Sequence, residues 1–383
     1  MSTFKDNETP IIVLGMHRSG TSLLAGALYN LGIFMGEDQN LMPAQEDVNA
    51  KGFWEHEGIV AIHDEIYRVL GSHWSQIAAL PDGWVDYEQI APFRSELLKI
   101  ITTEFFGKGL WGFKDPRVCR LLPLWHSIFA ELGVRPKFIL LSRHPFEVAA
   151  SLTKRDSDLS WGYSLFLWLR HTLEAEEYSK SFDRSWLTYE ALNQDWRTEI
   201  KRVGQDLNIE WPLSPDSVEV MSEMQELITD GLWHNRAAEL IANHTDEWGC
   251  TLDLYDTLTE AASENPDSDS LVKRVDAVRR KSKPIANLVD EAYRALQSLY
   301  LNQHEILTKL QGENHLLVEQ REDFASLNKQ LQEENHLLVE QREDFASLNK
   351  QLQEENHLLV EQREALARQL NSGLIGFIHR LRK

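Results

Sequence analysis

IIVLGMHRSGTSLLAGAL, residues 11–28 of the chain, joins a short apolar run to a glycine-bracketed loop and then to a helical pattern. The opening aliphatic run is typical of a β-strand that is covered on both faces. Gly15 and Gly20 have the G-x-x-x-x-G spacing, in which successive backbone N–H groups form an anion-binding nest at a helix N-terminus. The stretch therefore predicts a strand, a phosphate loop and a helix, with an anionic group bound at the loop.

The loop lacks the lysine of the nucleotide-triphosphatase motif, because Gly20-Thr21-Ser22 stands where that motif has Gly-Lys-Ser or Gly-Lys-Thr. Phosphoryl-transfer enzymes use that lysine together with Mg²⁺ to neutralise the β- and γ-phosphates. Arg18 offers a forked cation instead, and neutral donors are added by the hydroxyls of Ser19, Thr21 and Ser22. A later buried strand runs into Ser142-Arg143 rather than into an acidic side chain that could hold a metal. The pattern indicates anion binding without a metal.

Three further strands are predicted at residues 110–113, 137–141 and 185–189, with helical patterns between them. This alternation predicts an α/β fold in which a P-loop-type parallel sheet is flanked by helices. Ligands of such sheets bind beyond the carboxyl ends of the strands, where the phosphate loop, Lys114 and Arg143 all fall. Asp115 precedes a proline and is expected to be only the N-cap of the next helix.

The composition argues against nucleic acid as a partner and for a reducing compartment. The 383 residues carry a net charge of −21, whereas duplex binding rests on a basic face that neutralises phosphates. The two cysteines, Cys119 and Cys250, indicate neither a disulfide framework nor a zinc site. No apolar run approaches the ~20 residues that a transmembrane helix needs. We therefore expect a soluble cytoplasmic protein with no transmembrane segment.

The C-terminal part of the chain is an internal repeat. The sequence NHLLVEQRE begins at Asn314, Asn335 and Asn356, so the period is 21 residues, or three heptads. Within the repeats, one residue in every seven is Leu or Phe, and these residues form a first apolar row. The positions that would form a second apolar row hold mostly Asn, Arg, Glu and Gln. The spacing of the first row is typical of a coiled coil, and a single solvated helix is the alternative. This first row, one residue in every seven, consists of Leu310, Leu317, Phe324, Leu331, Leu338, Phe345, Leu352, Leu359 and Leu366.

These patterns divide the chain into four parts. A catalytic domain is predicted over 1–262, a polar linker and helical neck over 263–302, coiled-coil repeats over 303–371 and a basic tail over 372–383. The helical pattern that begins at residue 271 is expected to break at Pro284. Because polar residues at core positions fix register and a low oligomer number, we predict a homodimer through the coiled coil.

The segments IIVLGMHRSGTSLL, GFKDPR and KFILLSRHPFEVAASL occur in this order, and together they resemble the sulfotransferases that use 3′-phosphoadenosine-5′-phosphosulfate (PAPS), particularly bacterial members akin to tyrosylprotein sulfotransferases. The resemblance covers residues 10 to about 186. It implies that Arg143 and Ser151 hold the 3′-phosphate of the donor and that Lys114 approaches the transferred sulfuryl group. The 5′-phosphosulfate would be gripped by Arg18, Ser19, Gly20, Thr21 and Ser22. Fixed cations can stabilise sulfuryl transfer without a metal, because a sulfuryl group carries less negative charge than a γ-phosphoryl group.

The resemblance also implies a catalytic base, which would take the proton of the acceptor hydroxyl. Related enzymes use a glutamate after the phosphate loop, and Glu37, Asp38 and Glu55 are all eligible here. We favour Glu55, because the neighbouring Phe53 and Trp54 suit an enclosed acceptor pocket. The alternative for Glu55 is a carboxylate in the first turn of a helix, where the helix dipole favours it.

The function predicted from these residues is sulfuryl transfer from PAPS to an acceptor hydroxyl, with Arg18, Lys114 and Glu55 as catalytic residues. A carbohydrate acceptor is expected, because tryptophan rings can stack on sugar faces and the chain contains 12 of them. Two alternatives are a nucleotide-dependent kinase and a coiled-coil scaffold with an inactive loop domain.

Overall fold

The computed structural model describes residues 8–43, 52–228, 249–263, 269–327, 342–360 and 362–363. The described residues up to Pro284 form one compact unit, and those from Ile285 onward belong to a second. The boundaries predicted at residues 262 and 302 stay predictions. The predicted basic tail, 372–383, lies outside the described residues.

The first unit alternates strands and helices in the order that the sequence predicts. Its strands are β1 (Thr9–Leu14), β2 (Leu110–Lys114), β3 (Lys137–Ser142) and β4 (Arg184–Thr188). Its helices are α1 (Thr21–Asn30), α2 (Glu57–Val69), α3 (Ala91–Ile100), α4 (Val118–Leu132), α5 (Pro145–Arg155), α6 (Trp161–Ser179), α7 (Tyr189–Asp206), α8 (Val218–Leu227) and α9 (Gly249–Ser263). A single turn of π-helix, Ile101–Phe105, extends α3.

The four strands form one parallel sheet in the order β2-β1-β3-β4. In the register of this sheet Val13 lies opposite Lys114 on one side and opposite Ile139 on the other. The carboxyl ends of β1, β2 and β3 therefore meet at one edge of the sheet. The predicted parallel sheet flanked by helices is confirmed.

Both faces of the sheet are buried, as the unbroken aliphatic runs of the strands predict. One face presents Ile11, Val13 and Ile139 to an apolar core that also contains residues of α1, α7 and α8. On β2, Phe113 packs against Trp125 of α4, with 4.4 Å between the ring centroids. Helix packing on two sides thus fixes the sheet and the edge at which its loops converge.

Gly15 and Gly20 are both required by the way the phosphate loop is folded. A Cβ atom at Gly15 would lie 2.6 Å from the carbonyl oxygen of Leu141 in β3. Gly20 has a φ of +89°, and a Cβ atom there would lie 2.2 Å from Cδ2 of Tyr189. The loop can follow this path only because neither residue has a side chain.

The longest helix, α10 (Asp269–Leu327), passes through Pro284 without ending, so the predicted break at that residue is wrong. A proline removes one backbone N–H donor, which weakens a helix but does not end it where flanking turns are held by packing. On the N-terminal side of Pro284, such packing is provided by the buried side chains of Leu271, Val275 and Val278. The second unit is helical over the remainder of α10 and over 342–360. No helix in the described part of the chain is both apolar and long enough to cross a membrane.

We expect Gly20→Ala to lower the free energy of unfolding more than Gly83→Ala does. Gly83 also has a positive φ, +68°, but a Cβ atom there would meet nothing within 4 Å. Both variants bear the ~1–2 kcal/mol cost of a left-handed backbone, and the clash with Tyr189 adds roughly 1–3 kcal/mol at Gly20. Urea unfolding of the two variants measures the difference, and equal losses would contradict the packing described here.

Candidate functional site

The phosphate loop is fixed by its own backbone and by the helix behind it. The Ser19 N–H donates to the carbonyl of Met16 at 3.1 Å, and the Gly15 N–H donates to Sγ of Cys119 at 3.2 Å. Arg18 takes up the left-handed conformation, with a φ of 70°. The Ser19 hydroxyl oxygen is buried and has no hydrogen-bond partner in the structure. A buried hydroxyl without a partner fits a loop that is completed by a ligand.

Three residues from separate segments meet at this loop. Nε of Arg18 donates to Oγ of Ser151 at 2.8 Å, and Nη1 of Arg143 donates to the carbonyl of Arg18 at 3.2 Å. Arg143 also forms a 2.8 Å ion pair with Glu147 and lies 4.4 Å above the centroid of the Tyr189 ring. The structure thus brings together the residues that the resemblance assigns to the two ends of the donor.

Positive charge accumulates around Arg18. Burial, followed by the charges of Arg155 and Arg143, lowers the pKa of its guanidinium. Arg155 lies 4.8 Å above the ring of Trp74, which in turn packs against His17 of the loop with 4.4 Å between ring centroids. Cations that destabilise one another in this way favour a bound anion. The sequence analysis missed Arg155, although it lies one helical turn beyond Ser151 on α5.

The predicted catalytic residues Lys114 and Glu55 are in direct contact. Nζ of Lys114 donates to Oε1 of Glu55 at 2.5 Å and to Oγ of Ser22 at 3.1 Å. Lys114 is 1% exposed and Glu55 is 6% exposed. Burial raises the pKa of the Glu55 carboxyl, and Lys114 opposes this effect. A buried carboxylate with a raised pKa can accept a proton more readily than an exposed one.

The other two carboxylates considered as the base lie apart from this pair. Glu37 is exposed and forms a 3.3 Å ion pair with Lys108. Asp38 is exposed as well, and its Oδ1 accepts a hydrogen bond from the hydroxyl of Tyr29 at 3.1 Å. Of the three candidates, Glu55 is the one that contacts Lys114.

Glu55 does not lie in the first turn of a helix, because α2 begins at Glu57. The helix is capped by His56, whose Nδ1 accepts a hydrogen bond from the Ile59 N–H at 3.2 Å. The other ring nitrogen of His56, Nε2, lies 3.0 Å from Oε2 of Glu104. A favourable interaction with the helix dipole therefore does not account for a carboxylate at position 55.

Asp115 caps the turn that leads into α4, but capping is not all that it does. Its Oδ1 accepts a hydrogen bond from the backbone N–H of Arg117 at 3.0 Å, just before the helix begins at Val118. Asp115 is also 1% exposed, and its carboxylate contacts the side chains of His63 and Arg117. A cap would be predicted from the Asp-Pro pair alone, whereas His63 is distant in sequence and only the tertiary fold brings it to Asp115.

The assembled groups fit an anionic ligand. Arg18 and Arg143 supply forked donors, Ser19 and Ser151 supply hydroxyls, and the loop supplies backbone N–H groups. Within the described ranges, no three His, Cys, Asp or Glu side chains come together as a metal site would require.

Sulfotransferase domains are among the solved structures that this chain resembles. The sulfotransferase domain of the Synechococcus PCC 7002 olefin synthase is 15% identical over 65% of this chain and 90% of that chain, with a TM-score of 0.36. The sulfotransferase domain of the curacin biosynthetic pathway is 15% identical over 61% of this chain and 82% of that chain, with a TM-score of 0.34. A retinol dehydratase, in complex with androsterone and inactive cofactor PAP, is 14% identical over 71% of this chain and 81% of that chain, with a TM-score of 0.30. No protein-family model matches the chain, and no curated protein sequence matches it.

Proposed function

We propose that this protein is a sulfotransferase that uses PAPS as its donor and an acceptor hydroxyl as its substrate, without a metal. One observation carries the proposal: the Arg18–Ser151–Arg143 cluster and the Lys114–Glu55 pair meet at the same edge of the sheet. The first set suits binding of an anionic nucleotide, and the second suits stabilisation of charge and removal of a proton. The donor, when bound, supplies an activated sulfuryl group.

The residues proposed to hold the donor are those that the family resemblance assigns to it. Arg143 and Ser151 are proposed to bind its 3′-phosphate. The loop residues Arg18, Ser19, Gly20, Thr21 and Ser22 are proposed to bind its 5′-phosphosulfate. The unpartnered hydroxyl of Ser19 and the adjacent cations Arg18 and Arg143 support this assignment.

Lys114 and Glu55 are proposed to carry out the chemistry with Arg18. The ammonium group of Lys114, buried beside Ser22 of the loop, would stabilise negative charge that develops there during transfer. Glu55 would take the proton of the acceptor hydroxyl as the hydroxyl oxygen bonds to sulfur. The bond between sulfur and the 5′-phosphate oxygen of the donor would break in the same transfer, and adenosine 3′,5′-bisphosphate would leave. Because only the ionised carboxylate can take the proton, activity should fall as the pH drops through the pKa of Glu55.

The acceptor is proposed to be a carbohydrate. Trp111, Trp125 and Trp168 are fully buried and serve the core. Trp74 is only partly buried, and it packs against His17 of the phosphate loop. An aromatic ring in that position could stack on a sugar face. We also propose a cytoplasmic location, which the free thiols of Cys119 and Cys250 support.

The C-terminal repeats are proposed to form a homodimeric coiled coil. Leu317 and Leu359, two members of the strict apolar row, are 46% and 41% exposed in a single chain. Pairing with a second copy would bury this row, and each buried leucine would contribute roughly 1.5–3 kcal/mol.

We expect Arg143→Ala to weaken binding of adenosine 3′,5′-bisphosphate roughly ten- to hundredfold, because a hydrogen bond to a charged group contributes about 1.5–3 kcal/mol. Glu147→Gln is the matched control, since it neutralises the buried partner of Arg143 but keeps the guanidinium. Calorimetric titration gives both affinities. Equal affinity of the wild type for adenosine 5′-monophosphate would exclude the 3′-phosphate assignment.

Glu55→Gln should reduce sulfuryl transfer by at least a factor of about 100 and leave bisphosphate binding nearly unchanged, because the amide keeps the shape of the carboxylate but is not basic. Transfer of radiolabelled sulfate from PAPS to a panel of saccharides measures this. Glu37→Gln and Asp38→Asn are the controls, and both should remain active. An active Glu55→Gln beside an inactive control would place the base elsewhere.

We expect the full-length protein to sediment as a dimer at tens of micromolar and the double variant L317K/L359K to sediment as a monomer. A charge in the apolar row removes burial and adds repulsion across the pair. The matched control is L316K/L358K, which changes neighbouring exposed leucines outside the row. A monomeric wild type, or dissociation by both double variants alike, would count against the coiled coil.

A further inference from the structure

A second group of buried charges lies directly behind Glu55, and the proposed reaction does not use it. Asp115 follows β2, and its Oδ2 lies 2.7 Å from Nδ1 of His63 on α2. Its Oδ1 accepts hydrogen bonds from the backbone N–H and from Nη1 of Arg117, both at 3.0 Å. His63 is 0% exposed and Arg117 is 9% exposed. Each oxygen of Asp115 therefore has a defined partner.

The proton positions in this group follow from Trp125. Its indole Nε1–H donates to Nε2 of His63 at 3.0 Å, and an indole N–H can only donate. Nε2 of His63 is therefore the acceptor, and the ring proton resides on Nδ1, which donates to Asp115. Burial opposes charge on Asp115, but Arg117 and His63 outweigh it and hold the pKa of its carboxyl well below the usual range.

Arg117 links this group to Glu55. Its Nη1, which binds Asp115, also lies 3.9 Å from Oε2 of Glu55. The other oxygen of Glu55, Oε1, binds Lys114 at 2.5 Å. A different cation thus faces each oxygen of the Glu55 carboxylate.

Two carboxylates, Asp115 and Asp64, hold the guanidinium of Arg117 from different sides. Arg117 also donates to Asp64 through Nε at 2.6 Å and Nη2 at 3.1 Å. The side chain of Asp64 is 47% exposed, so this contact points toward solvent, whereas the Asp115 contact is buried. The Asp115 contact is made through Nη1, the same atom that faces Glu55.

We propose that Arg117, fixed by Asp115 and His63, is a positioning residue that keeps the buried Glu55 ionised and oriented as the proton acceptor. This role rests on the proposed function, in which Glu55 is the base. Taking a carboxylate out of water favours its neutral form, and a cation at each oxygen opposes that preference. Lys114 alone would leave Oε2 without a facing charge.

The charges around Glu55 come from three elements, and they act in opposite directions. Lys114 on β2 and Arg117 before α4 favour its ionised form, whereas Asp115 and burial disfavour it. His63 and Asp64, both on α2, contact Asp115 and Arg117 rather than Glu55. Removal of Arg117 deletes a favourable charge, so the pKa of Glu55 must rise.

The test compares Arg117→Gln with Arg202→Gln in the full chain. Arg202 is a partly buried arginine paired with Glu199 and Asp206 and lies beside the start of β4, away from the site. We expect Arg117→Gln to raise the pKa of Glu55, measured by carboxyl ¹³C NMR with Glu55→Gln to identify the resonance. The acid limb of kcat/KM should move to higher pH by the same amount, so that activity on this limb falls severalfold. Arg202→Gln should change neither the pKa of Glu55 nor the acid limb of kcat/KM. Bisphosphate binding should change by no more than about twofold in either variant.

Two measurements on the wild type keep the inference testable if Arg117→Gln does not fold. The carboxyl ¹³C shift of Glu55 should be that of a carboxylate at neutral pH, because a cation faces each oxygen, and ¹⁵N NMR should show the His63 proton on Nδ1. A Glu55 that stays protonated at pH 7, or a proton on Nε2 of His63, would overturn the inference. So would an unmoved pKa of Glu55 in folded Arg117→Gln. A shifted pKa in a chain that transfers no sulfuryl group would instead refute the proposed function and leave the electrostatic role of Arg117 standing.

Discussion

The parallel pairing of β1 with β2 on one side and β3 on the other is the constraint on which the site depends. Val13, near the end of β1, lies level with Lys114 and Ile139. This register puts the phosphate loop, Lys114 and Arg143 at one edge of the sheet, although they are far apart in the chain. A shift by one residue would turn Lys114 toward the opposite face of the sheet, because side chains alternate along a strand.

The cationic side chains at this edge differ in the groups that they contact. Lys114, Arg117 and Arg143 each have a carboxylate partner within 3.0 Å, in Glu55, Asp115 and Glu147 respectively. Arg18 bonds to the hydroxyl of Ser151, and burial and its neighbours Arg155 and Arg143 lower the pKa of its guanidinium. Several cations thus lie close together at the loop. The paired charges lie deeper, where burial makes partners necessary.

Glycine sets how closely these elements approach one another. Gly15 lets β1 pass beside Leu141, and Gly20 lets the start of α1 pack against Tyr189. Tyr189 also carries Arg143 on its ring face. The same contact therefore shapes the phosphate loop and supports the arginine that we propose to bind the 3′-phosphate.

The sequence by itself determined the parallel α/β fold, the phosphate loop and the convergence of Arg18, Lys114 and Arg143, because these follow from local periodicity and from the rule that loops of parallel strands meet at one edge. It left open the choice among Glu37, Asp38 and Glu55, and it assigned Asp115 to a helix cap. Only the tertiary structure placed Glu55 on Lys114 and joined His63, Trp125, Asp115 and Arg117 behind it. These contacts span up to 62 positions of the chain. The identity of a buried partner depends on how separate elements pack, which no local pattern of residues encodes.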